Sequence, residues 1–260
     1  MTSTVITALF DIGRDKDHGD GRSIDQYKEW FDKTLSLNVP MVIYTEKQFE
    51  DFIWERRKKD NTKVVIQKLN KIPYYSYKNK LDSVLSDPSY KANIMDPHRI
   101  ECNLSLYNII QYSKFDWILK AIEEEYFDTD YYFWMDAGCS RFFQDVDTTI
   151  EWPKNYSILS KDKFNIQGNR NTNTYKVNDW NQYIWDCNSM LVGTLFGGTK
   201  DVCQNMARLV KQLFEYYLNN NITNNEQIIL QLLHKQHPDF FNVYIELDGN
   251  HLPLFKKLAS

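Results

Sequence analysis

Five consecutive large apolar residues, Tyr131-Tyr132-Phe133-Trp134-Met135, stand between Asp130 and Asp136. The run is too short for a buried helix and carries no polar alternation. It therefore predicts a strand covered on both faces. Such strands belong to sheets with helices packed on each side, which is the α/β architecture. Other short runs fit the same sheet: Thr4–Phe10, Met41–Tyr44, Val64–Ile66, Ser189–Phe196 and the alternating Phe241, Val243, Ile245 and Leu247.

Helical patterns separate these runs. Ser23 and Gln26 make a capping box ahead of the stripe Ile24, Tyr27, Phe31 and Leu35. Phe49, Phe52 and Ile53 predict a helix ending in the exposed run Arg56-Arg57-Lys58-Lys59. Tyr77, Leu81, Val84 and Leu85 share a face, and Pro97 to Glu125 reads as helical with a break near Lys114. Val202, Met206, Leu209, Val210, Leu213, Phe214 and Tyr217 give the clearest amphipathic helix, followed by a shorter one with Ile229, Leu232 and Leu233. Residues 160–186, rich in Asn, Thr and Asp, read as one long loop. In it Trp180, Tyr183 and Trp185 are either core or a platform for sugar faces.

The balance of 31 Lys+Arg against 35 Asp+Glu gives a net charge of −4, which speaks against a dedicated nucleic-acid binder. A chain of 260 residues suits one large α/β domain. Cys102, Cys139, Cys187 and Cys203 are scattered, form no C-x-x-C pair and suit a reducing compartment. The N-terminus lacks a basic flank and a signal-length apolar run, and no segment is apolar for the ~18 residues of a membrane span. The expectation is a soluble, cytoplasmic protein.

Ligands of open α/β sheets bind beyond the carboxyl ends of the strands. Asp11 and Arg14 follow the first strand and Asp136 the central one. A carboxylate leaving a buried strand is well fixed to hold a hard divalent cation, or it simply caps a turn with Gly138. Asp11-Ile12-Gly13-Arg14 offers backbone N–H groups and a guanidinium to a diphosphate, or is a polar turn. Gly197-Gly198 admits a sugar or phosphate, or only a tight turn into the next helix. Thr223 and Glu226 have capping-box spacing, yet Glu226 is also a candidate general base. Asp248 and His251 lie in a polar C-terminal turn and are either solvated or near a metal.

Several of these residues together resemble the HtrL/YibB-like family. The N-terminal Thr7-Ala8-Leu9-Phe10-Asp11-Ile12-Gly13-Arg14 resembles its opening motif. Met41-Val42-Ile43-Tyr44-Thr45, Trp134-Met135-Asp136-Ala137-Gly138, Gly197-Gly198, Asn219-Asn220-Asn221-Ile222 with Glu226-Gln227, and Gly249-Asn250-His251 follow in matching order. The likeness spans nearly the whole chain. Proteins of this family are linked to bacterial surface-polysaccharide loci and look like GT-A glycosyltransferases.

The resemblance implies a GT-A-like single domain over residues 1–260, with a mostly parallel central sheet flanked by helices. A nucleotide-binding half (about 1–140) and an acceptor-binding half (about 141–260) would merge within it. It implies a nucleoside-diphosphate sugar, UDP-linked, as donor, a glycan hydroxyl as acceptor, and Mn²⁺ or Mg²⁺. Asp136 is then the metal-holding acid, with Asp248 and His251 as helpers. Thr7, Ala8, Asp11, Arg14, Tyr44, Thr45, Lys114, Ala137, Gly138, Gly197 and Gly198 line the donor site, and Glu226 is the base. One departure matters: the second acid of an Asp-x-Asp pair is replaced by Gly138. A carbohydrate-binding protein without catalysis and a nucleotidyltransferase are the alternatives.

Overall fold

A computed structural model describes residues 1–143, 147–148, 151–245 and 252–260, apart from the side chain of Asn173. The strands are β1 (Ser3–Leu9), β2 (Met41–Thr45), β3 (Thr62–Ile66), β4 (Tyr131–Met135), β5 (Phe164–Gly168), β6 (Leu191–Gly198) and β7 (Phe241–Ile245). The helices are α1 (Ile24–Leu35), α2 (Glu50–Trp54), α3 (Lys78–Leu85), α4 (Pro88–Asn93), α5 (Ser105–Glu123), α6 (Asn171–Thr174), α7 (Lys200–Asn219), α8 (Glu226–Gln236) and α9 (Pro253–Ala259).

The described strands form one seven-stranded sheet in the order β3-β2-β1-β4-β6-β5-β7. Pairings are parallel except that β6 runs antiparallel to both β4 and β5. The expected α/β class, a mostly parallel sheet flanked by helices, is the class this chain adopts. Strands from both ends of the sequence share the one sheet.

Side chains alternate across the sheet into two cores. Val5, Leu9, Tyr131, Phe133 and Met135 pack with Phe31 and Leu35 of α1 and Leu254, Phe255 and Leu258 of α9. Ile6, Phe10, Tyr132 and Trp134 face the other way, with α5, α7 and α8. This parity decides which strand residues can reach a site on the α5 side.

Three expectations change. Helix α5 runs unbroken through Lys114 because the buried ammonium finds protein partners and leaves no reason for the chain to break. Residues 160–186 are not one loop: β5 hides there because its buried face carries Asn165 and Gln167 where apolar residues are usual. Asn165 is accommodated by the carbonyls of Ser160 and Lys163 at 3.1 and 3.0 Å. Arg57 is buried rather than part of an exposed helix end. Its guanidinium donates to the carbonyls of Leu35 (3.1 Å), Leu37 (2.6 Å) and Val39 (2.6 Å), and burial lowers its pKa to about 10. Of the last expected strand, Leu247 lies outside the described residues.

Candidate active site at the strand ends

Strands β1 and β4 lie side by side and parallel, with Ile6 opposite Trp134. The segments leaving their carboxyl ends diverge and open a cleft between them. Ala8, Asp11, Arg14, Asp136, Ala137 and Gly138, all expected at the site, line it. So do Phe10, Arg22, Tyr27, Tyr107, Gln111, Trp134 and Arg141, which the sequence reading did not assign to the site. Tyr27 read there as part of a core stripe. Arg141 carries no motif signal beyond standing five residues after Asp136.

Asp136 has the same strand parity as Trp134 and therefore projects toward α5. The Trp134 indole N–H donates to Asp136 Oδ1 at 2.7 Å, and Lys114 Nζ from α5 reaches the same oxygen at 3.0 Å. Lys114 is itself only 1% exposed. Its remaining donors go to Glu226 Oε1 at 2.8 Å and the Gly193 carbonyl at 3.0 Å, so all three ammonium protons have an acceptor. Gly193 permits this: a Cβ there would collide with Glu226 Oε1. Burial alone would lower the Lys114 pKa, but the carboxylates of Asp136 and Glu226 outweigh it and raise the ammonium above its ordinary range. Burial raises Glu226 in turn, against the pull of Lys114.

The loop after β1 is built around its own acids. The Asp11 N–H donates to Glu46 Oε2 at 2.8 Å, and Asp11 Oδ1 accepts from the Gly13 N–H at 3.0 Å. Arg14 pairs with Asp20, bonds the Tyr27 hydroxyl, and lies over the Tyr107 ring at 4.9 Å. Arg141 lies over the Trp30 ring at 4.5 Å, and its Nε donates to the Gly138 carbonyl at 3.0 Å.

Other expected residues are placed elsewhere. Thr7 has the opposite parity to Ala8 and is fully buried, its hydroxyl without a partner. Tyr44 is spent in the core, donating to the Trp117 carbonyl at 3.2 Å, and Thr45 donates to the Leu9 carbonyl at 2.8 Å. Gly197 and Gly198 pair with Phe133 and Tyr132, at the start of β4. Because β6 is antiparallel, its middle meets Asp136, whose N–H donates to the Thr194 carbonyl at 2.9 Å. The glycine pair is thus about 10–13 Å away along the strand. Glu226 does not line the cleft; it is 2% exposed and stands behind Lys114. Asp248 and His251 lie outside the described residues.

The capping-box reading of Thr223 and Glu226 also fails. Asn225 is the N-cap of α8, accepting from the Ile228 N–H at 3.2 Å, while the buried Thr223 hydroxyl has no partner.

The ligand set expected for a divalent cation falls partly outside the described residues, where Asp248 and His251 lie. Among the described residues no three His, Cys, Asp or Glu side chains come together. Oδ1 of Asp136 already accepts from an ammonium and an indole, and the next carboxylate, Glu226, lies across that same ammonium. A cation bonded to that oxygen would face Lys114 charge to charge.

Asp136, backed by the buried Lys114 and Glu226, stands where a strand-end cleft opens in this α/β sheet, and the sequence comparison gives the family of the chain. The chain belongs to the HtrL_YibB family, described as a bacterial protein of unknown function, whose model matches residues 1–260. It is similar to Protein HtrL of Escherichia coli (strain K12), 23% identical over 289 residues, covering 100% of this chain and 93% of that protein. Among solved structures it is matched to mouse xyloside xylosyltransferase 1 in its apo form, with a TM-score of 0.43, 9% identity, 94% of this chain and 85% of that one. A second match is the galactosyltransferase LgtC in complex with donor and acceptor sugar analogs, with a TM-score of 0.44, 8% identity, 88% of this chain and 70% of that one. No described helix is long and apolar enough to cross a membrane.

Proposed function

We propose that this protein is a glycosyltransferase that moves a sugar from a nucleoside-diphosphate sugar, UDP-linked, to a hydroxyl of a glycan acceptor. The observation that carries the reading is Asp136. It leaves a fully buried strand, is about one-third exposed at 32%, and is held by Lys114 and Trp134 where the cleft opens. A fixed carboxylate beside the half-buried Tyr27 and Tyr107 suits a sugar. The anion accepts hydroxyl protons while aromatic faces cover the ring. The family resemblance of the N-terminal motif and of Trp134–Gly138 supports the same reading.

In this reading Asp136 contacts hydroxyls of the donor sugar, and Asp11 and Arg14 lie along the nucleotide. Lys114 and Glu226 set the orientation and charge of Asp136 from behind. Glu226 moves from base to charge partner, since a carboxylate sealed behind an ammonium has no path to an acceptor hydroxyl. Developing negative charge on the leaving diphosphate has to be met by fixed positive groups, a large contribution in such reactions. Mn²⁺ or Mg²⁺ was expected to supply it, but the described residues do not form its ligand set.

The test is turnover. The full-length protein is incubated with a panel of nucleotide sugars and free glycans, and release of nucleoside diphosphate is measured. Release from one donor, accelerated by an acceptor glycan, is the expected result. Thermal stabilisation by glycans alone, with no nucleotide sugar bound or consumed, contradicts it and favours a carbohydrate-binding protein. Pyrophosphate release from nucleoside triphosphates favours a nucleotidyltransferase.

A further inference from the structure

We infer that Arg141 is the group that binds the diphosphate of the ligand, and that this cleft takes a nucleoside diphosphate without a divalent cation. The inference rests on the nucleotide-sugar reading and names the charge that reading requires. Three arginines line the cleft. Arg14 is paired with Asp20, and Arg22 approaches the same carboxylate at 3.5 Å. Arg141 has no carboxylate partner among the described residues, while its position is fixed at two points. The guanidinium lies over Trp30 at 4.5 Å, and Nε is tied to the Gly138 carbonyl at 3.0 Å. One donor is thereby spent on orientation, and among the described residues the other four guanidinium N–H groups have no hydrogen-bond acceptor and can meet an oxyanion. A stacked, pre-oriented guanidinium suits bidentate phosphate binding.

Gly138 connects this arrangement to the missing second acid. A Cβ at 138 would meet the Trp30 ring at 3.3 Å and Arg141 Nε at 3.4 Å. An aspartate in that place would crowd the stacked guanidinium and set a carboxylate beside it. The chain has a glycine there and keeps the positive charge. On the other wall, Asp136 is already bonded to the ammonium of Lys114. An arginine without a carboxylate partner among the described residues and an acid that already has a counter-ion make a cleft that receives an anion directly.

The test is thermal denaturation of the full chain with UDP, GDP, ADP or inorganic pyrophosphate, each in EDTA and again in Mn²⁺. Wild type, Arg141→Gln and Arg141→Lys are compared. At least one nucleoside diphosphate should raise Tm equally in both media. Arg141→Gln should weaken its binding at least tenfold without moving the ligand-free Tm, and Arg141→Lys should recover part of the loss. A shift that appears only with Mn²⁺ overturns the inference and leaves the transferase reading standing. Undiminished binding to Arg141→Gln in EDTA overturns the role of Arg141. No binding of any probe in either medium overturns the nucleotide reading itself, and the inference with it.

Discussion

Lys114 is the residue on which the candidate site turns. An ammonium 1% exposed would be strongly unfavourable alone, and it is retained with three acceptors, two of them carboxylates. Replacing it with Met leaves Glu226 buried without a counter-ion, so Lys114→Met should cost about 3–5 kcal/mol in urea unfolding. The double variant Lys114→Met, Glu226→Met should be less destabilised than the two singles added, by about 1–3 kcal/mol. Additive losses would contradict the coupling. The residue pattern showed Lys114 as a polar interruption in an apolar helix, and the family resemblance placed it at the donor site rather than behind it. Nothing in its neighbours reveals that Asp136 and Glu226, 22 and 112 positions away by subtraction of their residue numbers, converge on it. Arg57 was hidden in the same way. A run of four basic residues looks like a solvated helix end, and only the fold shows four carbonyls waiting for one guanidinium.

Elements were legible where their pattern was local. The amphipathic α7, the capping box of α1 and the apolar β4 were read from spacing because each depends on neighbours in the chain. Strand direction was not, and this misplaced Gly197 and Gly198: an antiparallel β6 brings its middle, not its end, to Asp136. The start of α8 was misread for a related reason. Two neighbouring residues both had capping chemistry, and spacing alone favoured Thr223. Asn225 makes the bond instead. Asn225→Ala should therefore cost about 1 kcal/mol in thermal or urea unfolding, whereas Thr223→Ala should cost clearly less, since the Thr223 hydroxyl bonds nothing. Equal losses would restore the capping-box assignment.

At the scale of the molecule, the α/β class followed from a few buried runs, because covered strands leave little choice of architecture. The cleft was half legible. The rule that ligands sit at strand carboxyl ends picked out Asp11, Arg14 and Asp136. The walls came from α1, α5 and the turn after β4, where Tyr27, Tyr107 and Arg141 carry no mark that separates them from core or surface. Arrangement in space, rather than residue type, makes them part of one cavity.

The central claim is that the carboxylate of Asp136 serves a nucleotide-sugar reaction in this cleft. The most direct measurement is nucleoside-diphosphate release by wild type and Asp136→Asn under identical conditions, with cooperative thermal unfolding as the control for folding. The account predicts a fall of about 100-fold or more in a variant that still unfolds cooperatively. Wild-type release from Asp136→Asn would contradict it.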